Sequence, residues 1–167
     1  MAGSAAPHRF FRLLATIWVG SLLTIGYAVA PVLFATLERT TAGSVAARLF
    51  SIEATLGVVC GVLLIGLSNL LVRRGHDGYR SLRWLLAAML GCVLAGYFAL
   101  QPFMNALRVA ALEAGTDVGH SAYATRFAIL HGVSSAFYLI ESLLGLALIW
   151  RLPVWDEAAP FGRAPQR

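Results

Sequence analysis

A few side chains in this largely apolar sequence could do chemistry: Tyr27, Glu53, Gln101, Asn105, Arg108, His131 and Glu141. Tyr97, Gln101, Asn105 and Arg108 follow one another at spacings of four, four and three, which places them on one face of a helix. His131, Ser134 or Ser135, Tyr138, and Glu141 or Ser142 form a second stripe of the same kind. A carboxylate, a guanidinium, two amides and an imidazole suit recognition of a small polar solute or ion. His131 is also the one candidate metal or haem ligand, with His120 as the only histidine placed to join it.

The elements that carry these groups are membrane helices. Hydrophobic residues make up 59% of the 167-residue chain, charged residues 13%, and the mean hydropathy is +0.74. A soluble domain of this length could not bury so much apolar surface. The apolar residues fall in four blocks, Leu13 to Leu37, Ala54 to Val72, Trp84 to Leu107 and Phe127 to Trp150. Only the last holds a charge, Glu141. At about 1.5 Å of rise per residue each block can cross a hydrocarbon core about 30 Å thick. The second helix starts earlier, because Ala42 to Glu53 is amphipathic and compatible with helix. The first block also has the outline of a signal peptide, with an A-x-A site at Ala28 to Ala30. Pro31 directly after that site and an apolar run on to Leu37 argue against cleavage.

The predicted fold is all-α: an integral-membrane antiparallel four-helix bundle over residues 10–152, between disordered tails at 1–9 and 153–167. All 13 basic residues are Arg. Nine share a side with the termini and the Arg73–Arg83 loop, against Arg39, Arg48, Arg108 and Arg126 opposite. The excess places both termini in the cytoplasm, and with them the chain in a bacterial inner membrane. The net charge of +5 therefore reflects topology and not nucleic-acid binding. Trp18, Trp84, Trp150 and Trp155 read as interface anchors. Cys60 and Cys92 differ by about 10 Å in depth and read as small packing residues rather than a disulfide.

In this topology Glu53, Arg108 and His131 share the outer third of the bilayer, with Tyr27, Gln101 and Asn105 nearby. Together they outline a polar pocket open to the outside, with Glu53 and Arg108 as an ion pair. Glu141 lies deeper, without a cation at its level and with Ser21 and Thr24 as neighbours. It reads as a proton-carrying site, since intramembrane ionisable groups are costly to keep. Small residues provide helix-packing seams, Gly57 and Gly61 in G-x-x-x-G spacing among them, and that pair also offers a homodimer surface. No P-loop, G-x-S-x-G or C-x-x-C is present, which leaves no soluble-enzyme chemistry.

The stretches WVGSLLTIGYAVAPVLFATL (Trp18 to Leu37), TAGSVAARLF (Thr41 to Phe50), QPFMNALR (Gln101 to Arg108) and RFAILHGVSSAFYLIE (Arg126 to Glu141) together resemble a family of four-helix membrane proteins, the domain of unknown function 4149. That family takes in the animal transmembrane protein 205. The resemblance covers about residues 10 to 150 and implies the same four-helix membrane fold. The family pattern has an Asn one to two turns after the histidine of the fourth helix, where this chain has Tyr138. The layout is more distantly similar to the copper-resistance D membrane proteins and to a haem-binding membrane protoporphyrinogen oxidase. The leading expectation is a non-enzymatic membrane protein that binds or moves a small solute or metal ion. One alternative is a haem- or copper-linked redox protein using His131 and Tyr97. The other is a structural subunit of a membrane complex.

Overall fold

The computed structural model describes residues 6–153. Four helices in it are long and apolar enough to cross a membrane: Ala6–Thr36, Arg39–Arg73, Asp77–Glu113 and Ala124–Trp150, spans one to four. Span one consists of α1 (Ala6–Thr24), a π-helical turn (Ile25–Val29) and α2 (Ala30–Thr36). Span two is the single helix α3 (Arg39–Arg73). Span three begins with a 3-10 turn (Asp77–Tyr79) and continues through α4 (Leu82–Val93), a second π-helical turn (Leu94–Ala99) and α5 (Gln101–Glu113). A loop holding the 3-10 turn Val118–His120 leads to α6 (Ala124–Trp150), which is span four. Helix begins at Ala6, so residues 6–9 belong to span one and not to a tail. Residues 1–5 and 154–167, with the expected terminal tails and Trp155, lie outside the described residues.

The helix ends follow from local chemistry. Gly75 and Gly115 take φ of +90° and +73°, a conformation that side chains with a Cβ resist. Each lets the chain fold back on the last helical turn. His76 N–H donates to Leu71 O at 3.1 Å, and Thr116 N–H donates to Ala111 O at 3.1 Å. Pro31 and Pro102 each stand in the first turn of the helix that follows a π turn, where a missing N–H costs least.

Spans one and three each pack against spans two and four. The dense part of the molecule is built on Phe11, Ala15, Trp18 and Val19 of span one, Cys60, Leu64 and Leu71 of span two, Leu82, Leu86, Met89 and Val93 of span three, and Leu148 of span four. Trp18 is fully buried and is not an interface anchor. Its indole fills the notch made by Gly57 and Gly61. A Cβ at Gly57 would come within 2.8 Å of the indole Nε1, and one at Gly61 within 3.2 Å of the ring. The G-x-x-x-G surface is therefore used inside the bundle and is not free for a homodimer. Trp84 and Trp150 are 80% and 91% exposed, as expected of residues that face outward. Ile52, Val62, Phe103, Leu112, Ile129 and Leu143 are also exposed, an apolar exterior that hydrocarbon solvates and water does not. Cys60 and Cys92 are both free thiols.

The dense half is fastened by polar bonds. The buried His8 shares a hydrogen bond with the Tyr79 hydroxyl at 2.9 Å, and its ring meets His76 edge-on. Ser68 Oγ donates to Tyr79 O at 2.9 Å, and Arg83 donates to Asn69 Oδ1 at 2.9 Å. Pro153, at the exit of span four, packs over Gly78.

Candidate functional site

The remaining segments of the four spans enclose a cavity of about 470 Å³. Tyr27 and Phe34 line it from span one, Phe50 and Glu53 from span two, Gln101 and Arg108 from span three, and His131, Tyr138 and Glu141 from span four. Of the residues assigned to a polar pocket from sequence, Tyr27, Glu53, Gln101, Arg108 and His131 all reach this lining. Asn105 does not. It is exposed, in a separate shallow depression with Tyr97, Phe98, Gln101 and Pro102. The buried Met104 takes its place. Spacings of three and four, Gln101 to Met104 to Arg108, carry the inward face of α5, so the next residue round the helix points away.

The walls depend on the two π turns. A π turn adds one residue to a helical turn and leaves carbonyls unserved by the α pattern. Span four supplies hydroxyls to both regions. Tyr138 Oη donates to Leu22 O at 2.6 Å, and Ser134 Oγ donates to Gly96 O at 2.8 Å. Each π turn also presses a glycine onto span four. A Cβ at Gly26 would run into the Tyr138 ring, and one at Gly96 would lie 2.7 Å from Phe137 Cβ. Tyr27 Oη reaches Ser142 Oγ at 3.2 Å, and Ser142 in turn donates to Tyr138 O at 2.8 Å. The Tyr138 ring lies 5.3 Å from Phe50 and 6.2 Å from Tyr27, centroid to centroid. The cavity thus has a cluster of aromatic walls.

Its charges are unpaired. Glu53 and Glu141 are each 3% exposed, and Oε1 of each lacks a hydrogen-bond partner. No ion pair joins Glu53 to Arg108, contrary to the sequence expectation. Arg108 instead holds its guanidinium over the Phe127 ring, 5.1 Å from the centroid, and His131 stacks on that ring at 6.0 Å. Glu141, expected deeper and apart from the pocket, lines the same cavity as Glu53. Ser21 is not its partner, because the Ser21 hydroxyl donates to Trp18 O in its own helix. The Trp18 indole N–H, which packs over Gly57, is likewise buried and has no hydrogen-bond partner.

Among the described residues no three His, Cys, Asp or Glu side chains come together as metal ligands. His131 is exposed at the cavity and has no such company. His120 pairs with Asp117 in the loop and does not reach back to it. That contact and the Gly119 N–H hold the exposed Asp117 carboxyl below the usual carboxylate range.

The sequence of residues 13–113, most of spans one to three, matches the family described as domain of unknown function 4149. The chain belongs to this family. The matched stretch carries Tyr27, Glu53, Gln101 and Arg108, while His131, Tyr138 and Glu141 lie beyond it. No curated protein and no solved structure matches the chain. Sequence reasoning put Tyr138 on the polar stripe of span four without assigning it to the pocket, and it missed Phe34, Phe50 and Met104 on the lining. The hydroxyl in the middle of a membrane helix was the signal for Tyr138; the apolar three had none that set them apart from ordinary packing residues.

Proposed function

We propose that this family member is a four-pass protein of a bacterial inner membrane that binds a small solute in the cavity between its spans. In this reading the helices alternate up and down, both termini lie in the cytoplasm, and the cavity opens to the outside. The excess of Arg on the terminal side supports that orientation. One observation carries the solute reading: Glu53, Glu141 and Trp18 all leave a buried polar atom without a partner, and both acids line one cavity. Such groups cost stability in an empty protein, and a ligand that serves them recovers it.

The test is thermal stability of the detergent-purified protein with amines, carboxylates, sugars and neutral alcohols in turn. A ligand at about 100 times its Kd raises stability by about 2.7 kcal/mol. The stabilising class should lose its effect on a Ser135→Leu variant, which fills the cavity. If no class stabilises the protein, the solute reading is wrong and a subunit role takes its place, to be sought by mild-detergent pull-down. An absorption spectrum with metal analysis, on wild type and His131→Ala together, addresses the haem- or copper-linked alternative.

A further inference from the structure

We propose that the ligand of the cavity is an organic cation, an amine or quaternary ammonium compound, held between the two carboxylates and the aromatic wall. The inference rests on the solute-binding reading and names its chemistry. Glu53 and Glu141 are more than nine-tenths buried, line the same space, and have no cation bonded to either. Two acids without a counter-ion in a low-dielectric site favour a positive guest. The protein's own candidate, Arg108, is engaged with Phe127 instead.

The shape of the site selects among cations. A hard metal ion needs about six oxygen ligands in close order. Among the described residues no third His, Cys, Asp or Glu is grouped with the two carboxylates as a metal ligand, so the site does not provide them. What shares the lining with the acids is carbon: the Tyr138 ring, with Tyr27 and Phe50 each against it. Aromatic faces attract a diffuse cation, and they do so most strongly when water is excluded. An ammonium bearing alkyl groups uses both features: the acids neutralise its charge and the rings cover its carbon. Arg108 and His131 line the cavity, each against the Phe127 ring, and an arriving cation is repelled by the Arg108 guanidinium. That repulsion predicts that removing the Arg108 charge speeds cation association.

The experiment compares three probes on the full-length protein in detergent: choline, its uncharged carbon isostere 3,3-dimethylbutan-1-ol, and acetate. Binding is read by thermal shift and by titration calorimetry. Choline should bind at least about tenfold more tightly than the isostere, and acetate should not bind. Glu53→Gln and Glu141→Gln should each weaken choline by about tenfold or more while leaving the isostere unchanged. Both substitutions keep shape and replace a buried acid that has an unpartnered oxygen, so the variants should fold. Asn105→Ala, outside the cavity, should bind choline as wild type does. If the isostere or acetate binds as well as choline, or if the Gln variants keep full choline affinity, the cation inference is overturned and solute binding stands. If none of the three binds and the wider solute panel is also silent, both readings fail together.

Discussion

Gly96→Ala should be among the most damaging single-methyl additions the chain can suffer. The new Cβ would stand 2.7 Å from Phe137 Cβ, well inside the 3.4 Å at which ordinary contact begins. The obstacle is the root of a side chain on a neighbouring helix, so no rotamer change relieves it. Spans three and four must part by about 0.7 Å, the difference between those two distances. The parting also strains the 2.8 Å bond from Ser134 Oγ to Gly96 O. Overpacking costs about 1–3 kcal/mol. A weakened interhelical hydrogen bond adds about 0.6–1.7 kcal/mol. The expected loss is therefore about 2–5 kcal/mol. Gly91→Ala is the internal control, since nothing lies within 4 Å of its Cβ position on the same span. Better helix propensity there should give up to about 1 kcal/mol in the opposite direction. Unfolding both variants in mixed micelles of dodecylmaltoside and increasing SDS, followed by circular dichroism, measures the contrast. Equal midpoints for Gly91→Ala and Gly96→Ala would refute the close contact between spans three and four.

Gly57→Ala should lower stability by about 1–3 kcal/mol through the Trp18 indole and leave the oligomeric state unchanged, as light scattering in detergent can check. Tyr138→Phe should cost about 0.6–1.7 kcal/mol for the lost bond to Leu22 O, measured in the same micelle titration. In the loop, the Asp117 carboxyl is held below its usual range, so its contribution to the Val118–His120 turn is present above the ordinary carboxylate value. That contribution should vanish only as pH falls through the depressed value, which the Gly119 amide shift will follow by NMR. Asp117→Ala should remove the transition.

The four spans were legible because uninterrupted apolar stretches admit no other use in a chain of this composition. Most of the cavity residues were legible for a related reason. Polar groups in such helices must face inward, so Gln101, Arg108 and His131 were expected on one pocket, whereas Glu141 was set apart by depth and yet lines the same cavity. The failures mark where that rule stops. Asn105 shared a helical stripe with Gln101, but a stripe read by spacing is wider than the face that meets the cavity, and Met104 fits the inside better. Glu53 and Arg108 looked like a pair because opposite charges at one depth invite pairing. The Phe127 ring, four residues before His131 on another helix, offered Arg108 a partner that charge alone did not reveal. Trp18 was misread because a tryptophan in a membrane helix is commonly an anchor. What overruled that habit was a notch of two glycines, visible only once span one lay against span two. The π turns left no mark in the sequence beyond a glycine and a nearby proline in each.

The division of the molecule into a fastened half and a hollow half implies a gradient of local stability. Near His8, Ser68, Tyr79, Arg83 and Pro153 the spans are tied to one another by side-chain bonds and a filled core. Around the cavity the contacts are fewer, and Oε1 of each buried acid has no hydrogen-bond partner. Fluctuations should therefore concentrate at the hollow half, where the spans can splay while the other half stays shut. A solute could come and go by such partial openings without the protein ever approaching global unfolding. Amide exchange should report this as fast protons beside the cavity and slow ones beside Tyr79, with the difference shrinking when the cavity is filled.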